Sequence, residues 1–342
     1  LLVTMLHGRT YEDAGRLVET ALEAEETGGP AGEFLLMQAA DVARDALDFE
    51  YEGVAAALVA RGHDDVSFLP FDGDLVGRSL AAFFTGTASL GDTIEGNSYS
   101  PGALVDNVTS YGAVPTNFEP EGESQVSVAR WVAMGASGVH GTTAEPLANS
   151  FPSRWLVVDY VDGSTLAEAY HRRMPFVYWQ NLVLGDPMLA PYADRPEVVV
   201  EGLEIGESVG DARAVVVTAT DPVGRGIRSV VLLVDGLEVA SSEGEPIEHC
   251  LAVDEGEVGV QVLAVAQAAD DGTERGGHVP KGWTSLRVDG APGRGECETG
   301  PEGDADADAD GVDGGADADE DGSDGSTLDG DLDSPDDGDR DG

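Results

Sequence analysis

His140 stands in the turn-like run Gly138-Val139-His140-Gly141-Thr142, with Ser137, Thr142, Thr143 and Glu145 within a few residues of it. A histidine beside hydroxyls and a carboxylate is raw material for nucleophilic catalysis, because the imidazole can take the hydroxyl proton while the carboxylate orients the ring. Nearness in sequence is not triad geometry, so the same run also reads as a tight strand-to-helix connection carrying a structural histidine. Tyr99, between Ser98 and Ser100, and Asp106, in Gly102-Ala103-Leu104-Val105-Asp106-Asn107, complete the candidate set for a cleft with His140 and Glu145. Asp106 reads first as a helix cap and second as a cleft residue. No Gly-x-Ser-x-Gly elbow is present. Asp186, in Gly-Asp-Pro, reads as a turn residue, and His171 as a helix-end cation favoured by the dipole.

A second constellation lies near the carboxyl end. Asp306, Asp308 and Asp310 precede Gly311, and Asp317 follows at the twelfth position of a calcium-loop spacing; the pattern restarts as Asp317, Asp319, Asp321 and Gly322. Alternate carboxylates around a turn-permitting glycine can wrap several oxygens about a hard cation, so these six aspartates are candidate calcium ligands. The second copy has Leu328 at its twelfth position, and a solvated acidic spacer is the competing reading.

The composition bounds what such sites could serve. The 342 residues carry 18 Lys plus Arg against 66 Asp plus Glu, a net charge of −48; residues 296–342 carry −19, leaving −29 on the rest. This repels nucleic acid and anionic lipid, and no basic patch offsets it. A cell-envelope or protein ligand is the expected partner, and cations the natural counterions. Cys250 and Cys297 sit in no metal-ligand or CxxC spacing. Paired in an oxidising compartment, they would contribute about 3–4 kcal/mol by loop closure. No apolar run reaches 18 residues, so no segment reads as membrane-spanning.

The elements that must position these residues fall into two patterns. Strand-like and helix-like periods alternate over the first 190 residues, the signature of an α/β layered domain. The reading places strands at Leu1–Leu6, Phe34–Met37, Val66–Leu69 and Leu80–Phe84. It places helices at Tyr11–Glu26, Asp41–Phe49, Gly53–Arg61, Ser124–Met134 and Thr165–Arg173, with a strand and turn over Gly135–Thr143. A chain opening on an apolar strand reads as a fragment or processed product, so the first domain is expected to be N-terminally incomplete. Past Pro191 the pattern becomes short strands with turns: Val198–Leu203, Ala212–Thr220, Ile227–Val234, Glu238–Ser241 and Val258–Ala266. About seven strands in some 95 residues predict an all-β immunoglobulin-like sandwich. After Asp289 the apolar residues vanish, and low hydrophobicity with high charge predicts disorder. The expected boundaries are 1–193, 194–290 and 291–342.

The motifs Ser100-Pro101-Gly102-Ala103, Thr109-Ser110-Tyr111-Gly112-Ala113, Gly135 to Thr142, Glu145-Pro146, Phe151-Pro152, Gly163 to Tyr170 and Leu184-Gly185-Asp186-Pro187 follow in that order. In order and spacing, residues 1–192 resemble an uncharacterised bacterial family found in genomes with the exosortase sorting system. That family is distantly similar to gingipain-type, caspase-like cysteine peptidases. The resemblance implies a three-layer α/β fold with a catalytic His in a Gly-His-Gly turn and a Cys at the next strand end, often followed by an immunoglobulin-like domain. The acidic Asp/Gly tail hung on two folded domains leads to the expectation of an extracytoplasmic location, secreted or at the cell surface. The tail resembles the aspartate repeats of thrombospondin type 3. The dyad does not carry over: Phe84-Thr85-Gly86-Thr87 has no His, and Tyr99 falls roughly where the Cys is expected. A binding or structural role in a peptidase-like domain is therefore expected, with a hydrolase using another nucleophile in the same cleft, or a calcium-ordered surface protein, as alternatives.

Overall fold

The computed structural model describes residues 2–119, 124–177, 180–209, 211–269 and 280–292. The six candidate calcium ligands, the whole tail from residue 293 and Cys297 lie outside these residues. The described residues belong to one compact unit, Leu1–Cys297, that holds two β-sheets with separate cores.

The first sheet is built by α1 (Tyr11–Thr27), β1 (Glu33–Met37), α2 (Tyr51–Val59), β2 (Val66–Leu69), β3 (Ser79–Thr85), β4 (Ser98–Asn107), α3 (Val128–Ala133), β5 (Gly138–Thr142), α4 (Leu156–Val161), α5 (Leu166–Arg173) and β6 (Asn181–Gly185). The strand order is β2-β1-β3-β4-β5-β6, parallel throughout except for β6. Strand residues alternate between two buried faces. Phe34, Leu36, Ala82, Phe84 and Leu104 pack with α2, α4 and α5. Leu35, Met37, Phe83, Val105 and Val139 pack with α3 and with Leu17 of α1. The arrangement is a three-layer sandwich of helices around a mostly parallel sheet.

Local chemistry sets the ends of these helices. Thr10 and Thr165 each form a capping box, with Asp13 and Glu168, that satisfies two backbone N–H groups at the start of α1 and α5. Gly28 ends α1 in the left-handed conformation, φ +76°.

The second sheet is all-β: β7 (Glu197–Glu201), β8 (Asp211–Thr220), β9 (Ile227–Val234), β10 (Leu237–Ser242), β11 (Ile247–Ala268) and β12 (Lys281–Pro292). The first part of β11 pairs antiparallel with β8, and the later part with β9 and β12, so this 22-residue strand serves two groups of strands around one core. The segment before β8 runs parallel to β12, with Gly206 N–H donating to Arg287 O, Val209 N–H to Asp289 O and Asp289 N–H to Glu207 O. Cys250, on β11, is disulfide-bonded.

Several expectations are corrected. Leu2 to Leu6 is not a buried strand: Leu2, Val3, Met5 and Leu6 are exposed, and only Met5 bridges, to Leu184. The helix expected at Asp41–Phe49 is a set of turns ending in the single 3-10 turn Asp48–Glu50. There Asp41 and Asp48 bond the backbone N–H groups of Ala43 and Ala39, offering the chain an alternative to a helix. The helix expected from Ser124 begins only at Val128, because Ser127 caps it.

Candidate functional site

β4 carries the chain through the middle of the first sheet, and its two ends differ. At the amino end, Leu80 of β3 pairs with Tyr99 but Ala82 pairs with Leu104, so Ser100 to Ala103 bulge out of the ladder. The sequence Ser-Pro-Gly suits this detour, since Pro101 has no N–H to leave unpaired and Gly102 takes φ +89°. A Cβ on Gly102 would lie 2.9 Å from the Ala24 side chain. Gly102 N–H donates to Ser137 Oγ at 2.8 Å, Ser137 Oγ donates to Thr20 Oγ1 at 2.9 Å, and the Tyr160 hydroxyl donates to Gly102 O at 3.0 Å. The Ser-Pro-Gly-Ala and Gly-Ala-Ser-Gly motifs thus meet each other, in a packing junction.

Tyr99 sits at this amino end, buried against Trp131 with ring centroids 5.7 Å apart. Asp106 lies opposite Phe84, four residues of β3 farther on, or about 13 Å along the sheet. Tyr99 therefore does not share a cleft with Asp106 and His140. Burial raises its pKa further above the ordinary phenol range.

At the carboxyl end, the pairing of β4 with β5 sets Asp106 directly beside His140. Both side chains are fully buried, and Asp106 Oδ2 lies 3.2 Å from His140 Nδ1. Asp106 Oδ1 lies 3.3 Å from the guanidinium of Arg154, itself fully buried. Arg154 also donates to Thr85 O at 3.1 Å and stands over the Phe84 ring. Burial alone would lower the Arg154 pKa, but Tyr51 and Asp106 beside it outweigh this and leave it raised. Burial, in turn, raises the Tyr51 phenol. The second ring nitrogen of His140, Nε2, lies 3.0 Å from Asn181 Oδ1, whose amide NH2 donates to Ser150 O and Phe176 O. Both imidazole nitrogens thus face protein acceptors, and Phe151 and Tyr170 cover the ring. A general base must reach the proton it removes. Among the described residues, the His140 ring nitrogens reach only Asp106 and Asn181.

Glu145 is exposed and stands apart from this cluster, accepting from Ser110 Oγ at 3.0 Å. Its hydrogen bond also raises the Tyr111 phenol. The turn Thr109-Ser110-Tyr111-Gly112 is tied down by Gln125, whose side-chain oxygen accepts from Thr109 Oγ1 and Ser110 N–H. Thr142 Oγ1 bonds the carbonyls of Thr109 and Ser110. Above the turn is a cavity of about 80 Å³, lined by residues including Arg44, Val108, Ser110, Glu145 and Pro146. It is well below the roughly 300 Å³ at which small-molecule sites begin.

Three participants escape a reading by sequence alone. Asn107 ends β4, and its side chain accepts from Thr87 N–H at 2.8 Å and donates to Thr87 O at 3.0 Å, stitching the ends of β3 and β4 together. Arg154 and Asn181 complete the buried cluster. The only sequence signal for Arg154 is its place after Phe151-Pro152. Asp186, as expected, makes a turn, accepting from Met188 N–H at 2.9 Å. Among the described residues no group of His, Cys, Asp and Glu is placed to hold a metal ion, and no helix is long and apolar enough to cross a membrane.

No family model and no curated protein matches the chain. Among solved structures, it is similar to the fibronectin(III)-like modules of CbhA from Clostridium thermocellum, at 20% identity over 29% of this chain and 100% of that one, with a TM-score of 0.22. A CARDB domain from Pyrococcus furiosus matches at 14% identity over 28% of this chain and 97% of that one, TM-score 0.18. The Clostridium perfringens spore cortex lytic enzyme SleM matches at 10% identity over 80% and 76%, TM-score 0.19. Likenesses this weak carry no argument about the site.

Proposed function

We propose that the chain is a binding or structural protein displayed outside the cytoplasm, built on a caspase-like α/β domain without a catalytic dyad and an immunoglobulin-like sandwich. One observation carries this reading. At the adjacent carboxyl ends of β3 and β4, where the resembling peptidases hold a His and a Cys, stand Thr85-Gly86-Thr87 and Asn107, and the Asn107 amide closes onto the Thr87 backbone. Without a thiolate there is no sulfur nucleophile, and the buried His140, set between Asp106 and Asn181, touches no hydroxyl among the described residues that it could activate. Ser98 and Ser100 belong to the opposite end of β4, and the Thr109 and Ser110 hydroxyls are committed to Gln125 and Glu145.

The test is incubation of the full chain with fluorophosphonate and epoxide probes for Ser, Thr and Cys nucleophiles, and with a peptide library. Neither labelling nor cleavage is expected. Labelling of Ser110 or Thr109, or cleavage lost on His140→Ala, would overturn the reading. The spacing of Asp306 to Asp321 further supports calcium binding by the tail. Circular dichroism of the full chain should then change on adding millimolar calcium, and an unchanged spectrum would remove that part of the proposal.

A further inference from the structure

A second cavity, sharing no residue with the small one above the Thr109 turn, lies where the two sheets' domains meet. It has a volume of about 330 Å³, within the range of small-ligand sites. Its wall from the first domain includes Leu2, Thr165, Glu168 and Met188; its wall from the second is Lys281 and Trp283, with Arg195 of the connecting segment between them. Three large apolar side chains that line it are left open to water, Leu2 at 44%, Met188 at 46% and Trp283 at 37% exposure. Their convergence on one concave surface makes them a buried wall in waiting rather than scattered surface residues.

The charges are also sorted. Arg195 stacks on the Trp283 ring at 4.3 Å and is neutralised by Glu25 at 3.1 Å, while donating to Met188 O. Glu168 is held in the capping box of α5 and accepts from Thr165 N–H. Lys281 is the chain's only lysine, and it has no ion pair among the described residues. An apolar cavity whose one ammonium forms no ion pair among the described residues, and whose one carboxylate, Glu168, accepts from the Thr165 N–H, suits a ligand whose apolar body fills the cavity and whose anionic group meets that ammonium.

We infer that the cavity between the domains binds a small amphiphilic anion, an apolar or aromatic body bearing a single carboxylate or sulfonate. Such a ligand would bridge α5 and β12 and fasten the two domains at the Arg195 joint. The full chain is titrated at physiological salt with 8-anilinonaphthalene-1-sulfonate and, separately, with the uncharged N-phenyl-1-naphthylamine, reading fluorescence. Saturable one-site binding of the sulfonate is expected. Trp283→Ala should weaken both probes about tenfold or more. Lys281→Glu, an exposed change that leaves the core untouched, should weaken the sulfonate about tenfold and the neutral probe hardly at all. Near-UV circular dichroism and an unchanged melting temperature establish that each variant is folded. Should Trp283→Ala misfold, Met188→Ser takes its place. Absence of saturable binding would overturn the proposal, as would a Lys281→Glu variant that binds the sulfonate as the parent does or weakens both probes alike.

Discussion

The two ends of β4 solve the same problem in different ways. At the amino end a bulge breaks the ladder, and the backbone groups of Gly102 that it frees find neutral partners in Ser137 and Tyr160. At the carboxyl end the ladder is intact, but Asp106, His140 and Arg154 meet at ion-pair distances while Asp106 Oδ1 and Oδ2, His140 Nδ1 and Arg154 NH1 lack well-formed hydrogen bonds. The first end is specified by backbone shape and hydrogen bonding, the second by charge in a low-dielectric interior. A charge cluster of that kind is costly to break and cheap to replace as a whole.

The largest effect should therefore come from Asp106→Ala, which strands the Arg154 guanidinium without its carboxylate. About 3–5 kcal/mol of stability should be lost in a urea melt. Pairing Asp106→Leu with Arg154→Met should recover most of it, and a double variant no better than the single one would show that the cluster is held by more than charge. At the other end, Gly102→Ala should cost about 1–3 kcal/mol, because φ +89° and the Ala24 contact both oppose a Cβ. Ser137→Ala should cost about 1–3 kcal/mol by leaving the buried Gly102 N–H without an acceptor. If these amino-end changes matched the loss from Asp106→Ala, the contrast between the ends would collapse.

The smallest effect concerns pH. Near Tyr99, the hydrogen bonds from Arg130 hold the Glu95 carboxyl below its ordinary range. The folded-state pKa is depressed, so the contribution is complete above the unfolded value of about 4.3. It fades as pH falls through the lower folded value. The Glu95 side chain is about half exposed, so the total stays below about 1 kcal/mol. The stability difference between the parent and Glu95→Gln should be constant from pH 7 to 5 and shrink toward pH 3. A difference that grew there would reverse the assignment.

Much of the fold is legible in the sequence because it rests on local signals. The capped helix at Tyr11, the apolar run Phe34–Met37 and the exact bounds of Ile227–Val234 follow from periodicity and turn residues. β4 is harder to see, since Ser-Pro-Gly interrupts its apolar run and only the partners Ser137 and Tyr160 make that interruption tolerable. β6 and α4 go unread for a related reason, being short elements whose place is set by β5 and α5. The first half of β11 escapes notice because Glu248-His249-Cys250 carries no regular alternation. At the site, Asp106 and His140 stand out by residue type and do meet. Their confinement by Arg154, Asn181 and Phe151 depends on residues brought from later parts of the chain, which spacing along the chain does not express. Tyr99 stands out only by its place in the chain, and a four-residue bulge moves it to the wrong end of the sheet.

The parallel pairing of residues 206–209 with β12 has a mechanical meaning. A pull along the chain that draws the entering segment one way and β12 the other loads the bonds from Gly206, Val209 and Asp289 side by side, in shear, instead of peeling them one at a time. The second domain should then resist extension until all three yield together, behaving as a stiff link that bears tension rather than a spring.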